Sequence, residues 1–215
     1  MEETMIISRS NKRATIYNNG IRNRILYREE ELSSGDRLMV AKNNYYWTAN
    51  CKEMDFIANG EIIQVMRVRR VTEMYGFRFA DAVLRFSDYD GYELECRVLL
   101  STLSSESPSL TSDESRQLYE RVLEDYADVP GRREKMKRLR QDPYYNALQI
   151  KYAYAVTCHK AQGGQWGRVF VDQGYLTEEM GGSGYLRWLY TAFTRTTERL
   201  YLCLLYTSPS PRDTR

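Results

Sequence analysis

The apolar residues of this chain change rhythm twice, and that change limits the folds open to it. Between Arg37 and Leu100 they fall in short β-rich runs: Leu38–Val40, Ile62–Val71, Phe77–Phe86 and Tyr92–Leu100. In the last run Tyr92, Leu94, Cys96, Val98 and Leu100 alternate with Glu93, Glu95 and Arg97, the pattern of a half-buried antiparallel strand. Asn59-Gly60 and Asp90-Gly91 are turn dipeptides between such runs. Short strands joined by tight turns predict a small barrel or sandwich. Further on, Tyr152–Val156, Val169–Val171 and Leu200–Leu205 are apolar without alternation, as strands covered on both faces of a parallel sheet are.

The start of the chain matches its end. Met5-Ile-Ile-Ser8 is a short apolar run, and Ser10-Asn11 supplies capping chemistry for a helix over about Lys12–Arg28. Ala14, Tyr17, Ile21 and Ile25 recur near helical spacing and mark its expected buried face. Two α/β ends around a β-rich middle predict one α/β domain carrying an inserted β-domain. Between them, Thr111-Ser-Asp-Glu114 reads as a capping box that opens a helix with Leu118, Val122 and Tyr126 inward. Arg132–Arg140 holds six basic residues and one acid, a local charge of +5, and Asp142-Pro143 ends that helix. Near the end, Leu186, Leu189, Tyr190 and Phe193 fall at i, i+3, i+4 and i+7 and predict a buried helical stripe, with Arg187, Thr191 and Arg195 on another face.

Composition excludes several classes. The 31 basic and 29 acidic residues leave a net charge of +2, which argues against a globally basic nucleic-acid coat but not against local basic faces. His159 is the single histidine, so centres built on several imidazoles are excluded and no metal site is expected. Four cysteines at 51, 96, 158 and 203 form no CxxC pair and read as free thiols of a reducing cytoplasm. No run of apolar residues is long enough to span a bilayer, and the acidic Met1-Glu-Glu-Thr start is unlike a signal peptide. A soluble, cytoplasmic protein is expected. No Gly-Lys dipeptide occurs, so the sequence holds no phosphate-binding P-loop.

Two segments carry the chemistry. Ala155-Val-Thr-Cys-His-Lys-Ala-Gln-Gly-Gly-Gln-Trp166 runs from a strand end into polar residues and paired glycines. Ligands of open α/β sheets sit at the carboxyl ends of strands. Thr157, His159, Lys160 and Gln162 offer donors suited to phosphate oxygens, although a solvated strand-to-helix turn would look the same. The second segment, Tyr190-Thr-Ala-Phe-Thr-Arg-Thr-Thr-Glu-Arg199, puts Arg195 and Arg199 at i and i+4, able to project from one face. Such a guanidinium either neutralises charge in phosphoryl transfer or pairs with a carboxylate such as Glu198.

In this order the two segments resemble motifs V and VI of superfamily 1 DNA helicases of the UvrD/RecD-like group. Thr157-Cys-His-Lys-Ala-Gln-Gly163 is similar to the T-x-H-K-[SA]-Q-G pattern, and Leu189-Tyr-Thr-Ala-Phe-Thr-Arg195 to L-Y-T-A-x-T-R. Ser10-Asn11-Lys12 resembles the segment opening the second motor domain, and Gly35–Val40 with Phe56–Glu61 resembles the start of its SH3-like insertion. The resemblance spans nearly the whole chain to Leu205.

It implies an α/β, RecA-like parallel sheet that lacks its own P-loop and carries an inserted small β-barrel. Residues 1–35 and 150–205 would form the discontinuous RecA-like domain, and 36–149 the SH3-like insertion with a helical segment. The tail 206–215 resembles translated sequencing-adaptor read-through and stands outside the fold. By the same resemblance Thr157, His159, Lys160 and Gln162 would contact single-stranded DNA or a single/double-strand junction. Gly163, Gln165 and Arg195 would face the nucleotide, and Arg195 would reach the γ-phosphate of ATP. Gln165 stands where many relatives have Glu, which bears on the ribose contact. ATP and Mg²⁺ would be bound mainly by a first RecA-like domain that is missing here, so the chain by itself is expected to be inactive. Arg67, Arg69, Arg70 and Arg78, beside Tyr75 and Phe77, would offer charge and stacking surfaces, the aromatics serving equally well as barrel core. The competing expectation is a stand-alone, non-catalytic nucleic-acid-binding module.

Overall fold

The computed structural model describes residues 4–174 and 182–203. It divides into two compact units, one drawn from Met1–Ile25 and Tyr154–Arg215, the other Leu26–Ala153.

The first unit is a parallel sheet. Its strands are β1 (Thr4–Ser8), β7 (Ala155–Thr157), β8 (Trp166–Asp172) and β9 (Thr196–Cys203), in the order β7-β1-β8-β9. β1 pairs in parallel with both β7 and β8, bringing Ile7 beside Val156 and Val171. Met5, Ile7, Val169 and Val171 are fully buried and form the core of the sheet.

Helix α1 (Asn11–Gly20) follows β1 and is capped by Ser10, whose hydroxyl accepts from the Arg13 amide. It is shorter than expected, because Ile21–Ile25 continues as a π-helical turn. Its buried stripe is also different: Ala14, Asn18 and Arg22 face inward, while Ile25 is exposed. The reason is polar. Asn18 donates to the Ala155 carbonyl at 2.9 Å and accepts from the Tyr154 and Ala155 amides at 3.0 and 2.8 Å. It satisfies the backbone of β7, an outermost strand of the sheet, where an apolar side chain would leave those groups unpaired.

Helix α5 (Ser183–Phe193) precedes β9. The expected inward stripe of Leu186, Leu189, Tyr190 and Phe193 is corrected: Leu186 is 62% and Tyr190 72% exposed. Ala192 is buried, and the apolar residues half-buried beside it are Tyr185, Trp188, Leu189 and Phe193. That set has the same i, i+3/i+4 spacing rotated by one residue, and α5 is apolar enough that periodicity alone does not choose between the two. β9 was expected to be covered on both faces. It is the outer strand beyond β8, with Leu200, Tyr201 and Leu202 exposed among the described residues, and Leu204 and Leu205 lie outside them.

The second unit is a closed five-stranded barrel of β2 (Arg37–Val40), β3 (Ile62–Met74), β4 (Phe77–Phe86), β5 (Tyr92–Leu99) and β6 (Leu148–Tyr152). β6 closes it, antiparallel to β2 and parallel to β5. The expected single strand Tyr152–Val156 is therefore two strands, one ending in the barrel and one starting in the sheet, parted at Ala153-Tyr154. β3 and β4 form a long hairpin with register shifts near Val65 and Val68. Its turn is Tyr75-Gly76, both at positive φ, the geometry of tight hairpins.

Helices α2 (Ser101–Ser104), α3 (Ser112–Glu124) and α4 (Arg132–Arg140) lie between β5 and β6. α3 opens with the expected capping box between Thr111 and Glu114. Leu118 and Val122 of α3 and Leu139 of α4 pack with Phe77, Phe79 and Leu99 of the barrel, with Tyr75 against the same cluster. The Tyr75 hydroxyl donates to Asp125, and Tyr75 and Phe77 both pack in this cluster. Of the neighbouring arginines, Arg69 pairs with Glu95 and Arg78 with Glu31.

Candidate nucleic-acid and nucleotide site

The parallel sheet places the chemistry. β7 ends at Thr157, whose carbonyl accepts from the Lys160 and Ala161 amides and turns the chain back on itself. The loop from Thr157 to Gln165 then leads into β8. Cys158 and Ala161 are buried and anchor this loop, while His159 and Gln162 project from it. The Cys158 thiol contacts the Trp188 carbonyl of α5, and burial pushes its pKa up. Desolvation lowers the pKa of half-buried Lys160.

His159 and Gln162 line a cleft of about 390 Å³ together with Arg9, Arg187, Trp188 and Thr191. Arg9 is the first residue beyond β1, and its guanidinium lies 5.4 Å from the Tyr185 ring and 5.7 Å from that of Trp188. Those two rings are stacked, with centroids 6.2 Å apart. Cation–π attraction holds the guanidinium over the paired rings. The cleft is thus polar and cationic, and it lies beside the carboxyl ends of β1 and β7, where open parallel sheets bind ligands.

Of the four residues expected to contact DNA, His159 and Gln162 share this cleft; Thr157 and Lys160 are not among its walls. Arg9 and Trp188 were not singled out by sequence as ligand-facing. The available signal for Arg9 was its position directly after a strand end.

Arg195 lies elsewhere on the same unit. It follows α5 by two residues, and its Nε donates to the Thr191 carbonyl at 3.1 Å. One terminal nitrogen donates to the Gly164 carbonyl at 3.3 Å and the other to the Thr194 hydroxyl at 3.1 Å. Among the described residues no carboxylate pairs with it. Arg199 belongs to β9, so the two arginines do not share a helix face as their spacing suggested. Gly163 is exposed at positive φ and Gln165 is exposed, one on each side of the Gly164 carbonyl that Arg195 reaches. Gly164 itself packs against the Trp166 ring so closely that a Cβ would collide with it. Among the described residues no group of three or more His, Cys, Asp or Glu side chains could hold a metal ion. No described helix is long and apolar enough to cross a membrane.

A parallel α/β sheet with a cationic cleft beside its strand ends, and an arginine on the loop entering the next strand, is an arrangement suited to polyphosphate ligands. Residues 152–203 match the UvrD-like helicase C-terminal domain. The matched stretch takes in β7, β8, α5 and β9 of the sheet unit. No curated protein matches the chain. Solved helicase structures are among those similar to it. A structure of two coordinating Pif1 helicases on forked double-stranded DNA has 12% identity and a TM-score of 0.49, with 96% of this chain and 40% of that one covered. Pif1 from Candida albicans has 14% identity and a TM-score of 0.44, with 95% and 45% covered. Pif1 from Bacteroides with ADP-AlF3 and single-stranded DNA has 12% identity and a TM-score of 0.49, with 95% and 41% covered. The chain spans less than half the length of each.

Proposed function

We infer that this chain works as the C-terminal half of an ATP-dependent DNA helicase. Its second RecA-like domain would be built from residues 1–35 and 150–205, with 36–149 inserted. Thr157, His159, Lys160 and Gln162 contact single-stranded DNA, and Gly163, Gln165 and Arg195 face the nucleotide. The carrying observation is that one short loop serves both groups. Its Cys158, His159 and Gln162 line the cationic cleft, and its Gly164 carbonyl accepts from Arg195.

The residues fit the ligands. Arg9 and Arg187 add fixed positive charge beside His159 and Gln162, which suits phosphate oxygens of a strand backbone. Among the described residues Arg195 holds three neutral oxygen acceptors and no carboxylate. A phosphate oxygen is a stronger acceptor than the Gly164 carbonyl and can displace it. ATP and Mg²⁺ would be held mainly by a first motor domain carrying the P-loop, and Arg195 would neutralise charge developing on the γ-phosphate.

The test is Arg195→Ala in the protein that includes the first motor domain. ATP turnover is expected to fall by about 10³–10⁵, with single-strand affinity nearly unchanged. Turnover at the parental rate would reject the role of Arg195 and, with it, the nucleotide half of the proposal.

A further inference from the structure

A strongly basic helix lies on the barrel unit. Helix α4 carries Arg132, Arg133, Lys135, Lys137, Arg138 and Arg140 against the single acid Glu134. Glu134 is within 3.7 Å of Arg138, and the Lys135 ammonium donates to the Ala127 carbonyl. Among the described residues Arg132, Arg133, Lys137 and Arg140 have no carboxylate partner.

Three of these four, Arg133, Lys137 and Arg140, recur at i, i+4 and i+7 and so project from one face. They line a groove of about 920 Å³ with Pro130, Gly131, Met136, Gln141 and the one acid, Glu134, so three cations outnumber one carboxylate there. At about 1.5 Å of rise per residue they extend over roughly 10 Å, enough to follow consecutive phosphates.

Helix stability does not account for the arrangement. Arg132 and Arg133 occupy the first turn, where the macrodipole disfavours cations, and Arg133 and Lys137 repel each other at i, i+4. Leu139, on the buried side, anchors the helix to the barrel cluster. α4 also lacks the exposed apolar stripe with which an interfacial helix enters a membrane: Leu139 is buried and Met136 half-buried. Nor does an aromatic ring line the groove. Single-strand sites pair a basic track with aromatic stacking platforms, and contact through phosphates alone suits a strand whose bases are turned inward and paired.

We propose that the Arg133–Lys137–Arg140 face of α4 docks on the phosphate backbone of double-stranded nucleic acid. The proposal rests on the helicase reading only in taking nucleic acid as the polyanion, and it shares no residue with the cleft of the sheet unit.

The experiment measures binding of the chain to a short labelled duplex and to the matching single strand by anisotropy over a range of salt. In the triple variant Arg133→Gln, Lys137→Gln, Arg140→Gln the duplex salt slope is expected to become shallower by about 2.7, that is about 0.9 for each phosphate no longer neutralised. Single-strand binding is expected to persist. The charge-preserving Arg133→Lys, Arg140→Lys variant is expected to restore the slope, which separates loss of charge from loss of fold. An unchanged duplex slope overturns the proposal. So does a loss seen only with anionic vesicles or an acidic protein. Loss of single-strand binding in His159→Ala with the duplex slope intact would concern the cleft and leave this site standing. Loss of single-strand binding in the triple variant, with the duplex unchanged, would refute the assignment.

Discussion

Single residues decide how each element of the sheet unit sits. Asn18 is the plainest case, since three hydrogen bonds from one side chain satisfy the backbone of β7 at Tyr154 and Ala155. Replacing it with Ala leaves those groups unpaired at a cost of about 1–3 kcal/mol for each that water does not reach. Ile16→Ala, at an exposed position of the same helix, is expected to stay within about 0.5 kcal/mol. Denaturant midpoints of the two variants check this, and equal effects would reject the bridging role of Asn18. An asparagine at a helical i+4 position carries no sequence signal of that kind, because its partners lie more than a hundred residues away. Arg195 was legible as a residue to watch. Its Gly164 acceptor was not, since Gly164 reaches it only through the pairing of β8 with β9.

At the scale of elements, the helices of the barrel unit are tied down by tyrosine–carboxylate contacts. Tyr126, just beyond α3, donates to Asp142 at 2.8 Å, and Asp142 also accepts from the Tyr144 and Tyr145 amides. Burial, reinforced by the Asp142 hydrogen bond, pushes the Tyr126 phenol up from the usual 10 to about 12. Burial and Asp125 likewise raise Tyr75. A phenol whose folded value lies above its unfolded value stabilises fully below the unfolded value, and that contribution fades as pH rises through the folded one. The barrel unit should therefore lose stability between pH 10 and about 12. In Tyr126→Phe that part of the alkaline loss should be missing, and denaturation curves across the window measure it. A variant with the same pH profile as the parent would exclude the contribution.

Strand existence, the α3 capping box and the span of α4 were legible because they depend on neighbours in sequence. The inward faces of α1 and α5 were not. Both helices carry apolar residues on more than one side, and which stripe is covered depends on the strand beside it.

At the scale of the whole molecule, the chain leaves one unit, builds a barrel of more than a hundred residues, and returns. The sheet needs both ends of the chain, since β1 pairs with β7 and β8, whereas the barrel closes within Leu26–Ala153. Each unit has its own core, with Met5 fully buried in one and Phe79 in the other. Met5→Ala should cost about 2–5 kcal/mol and Phe79→Ala about 3–5 kcal/mol. Amide hydrogen exchange is expected to assign each loss to its own unit, β1 and β8 in the first case and β3 and β4 in the second. Equal loss of protection in both units from either change would show a single cooperative unit instead.

The sequence by itself determined the α/β ends, the β-rich middle and the two chemical segments, including Thr157–Gln165 and Arg195. These follow from local periodicity, turn dipeptides and residue type, which short windows of chain contain in full. Tertiary structure alone decided that Arg9, His159, Gln162 and Arg187 share one cleft, and that Gly164 hands Arg195 its acceptor. It also decided that the barrel closes through β6. Those relations come from pairing between strands far apart in the chain, where register and burial are set by long-range packing that no local pattern encodes.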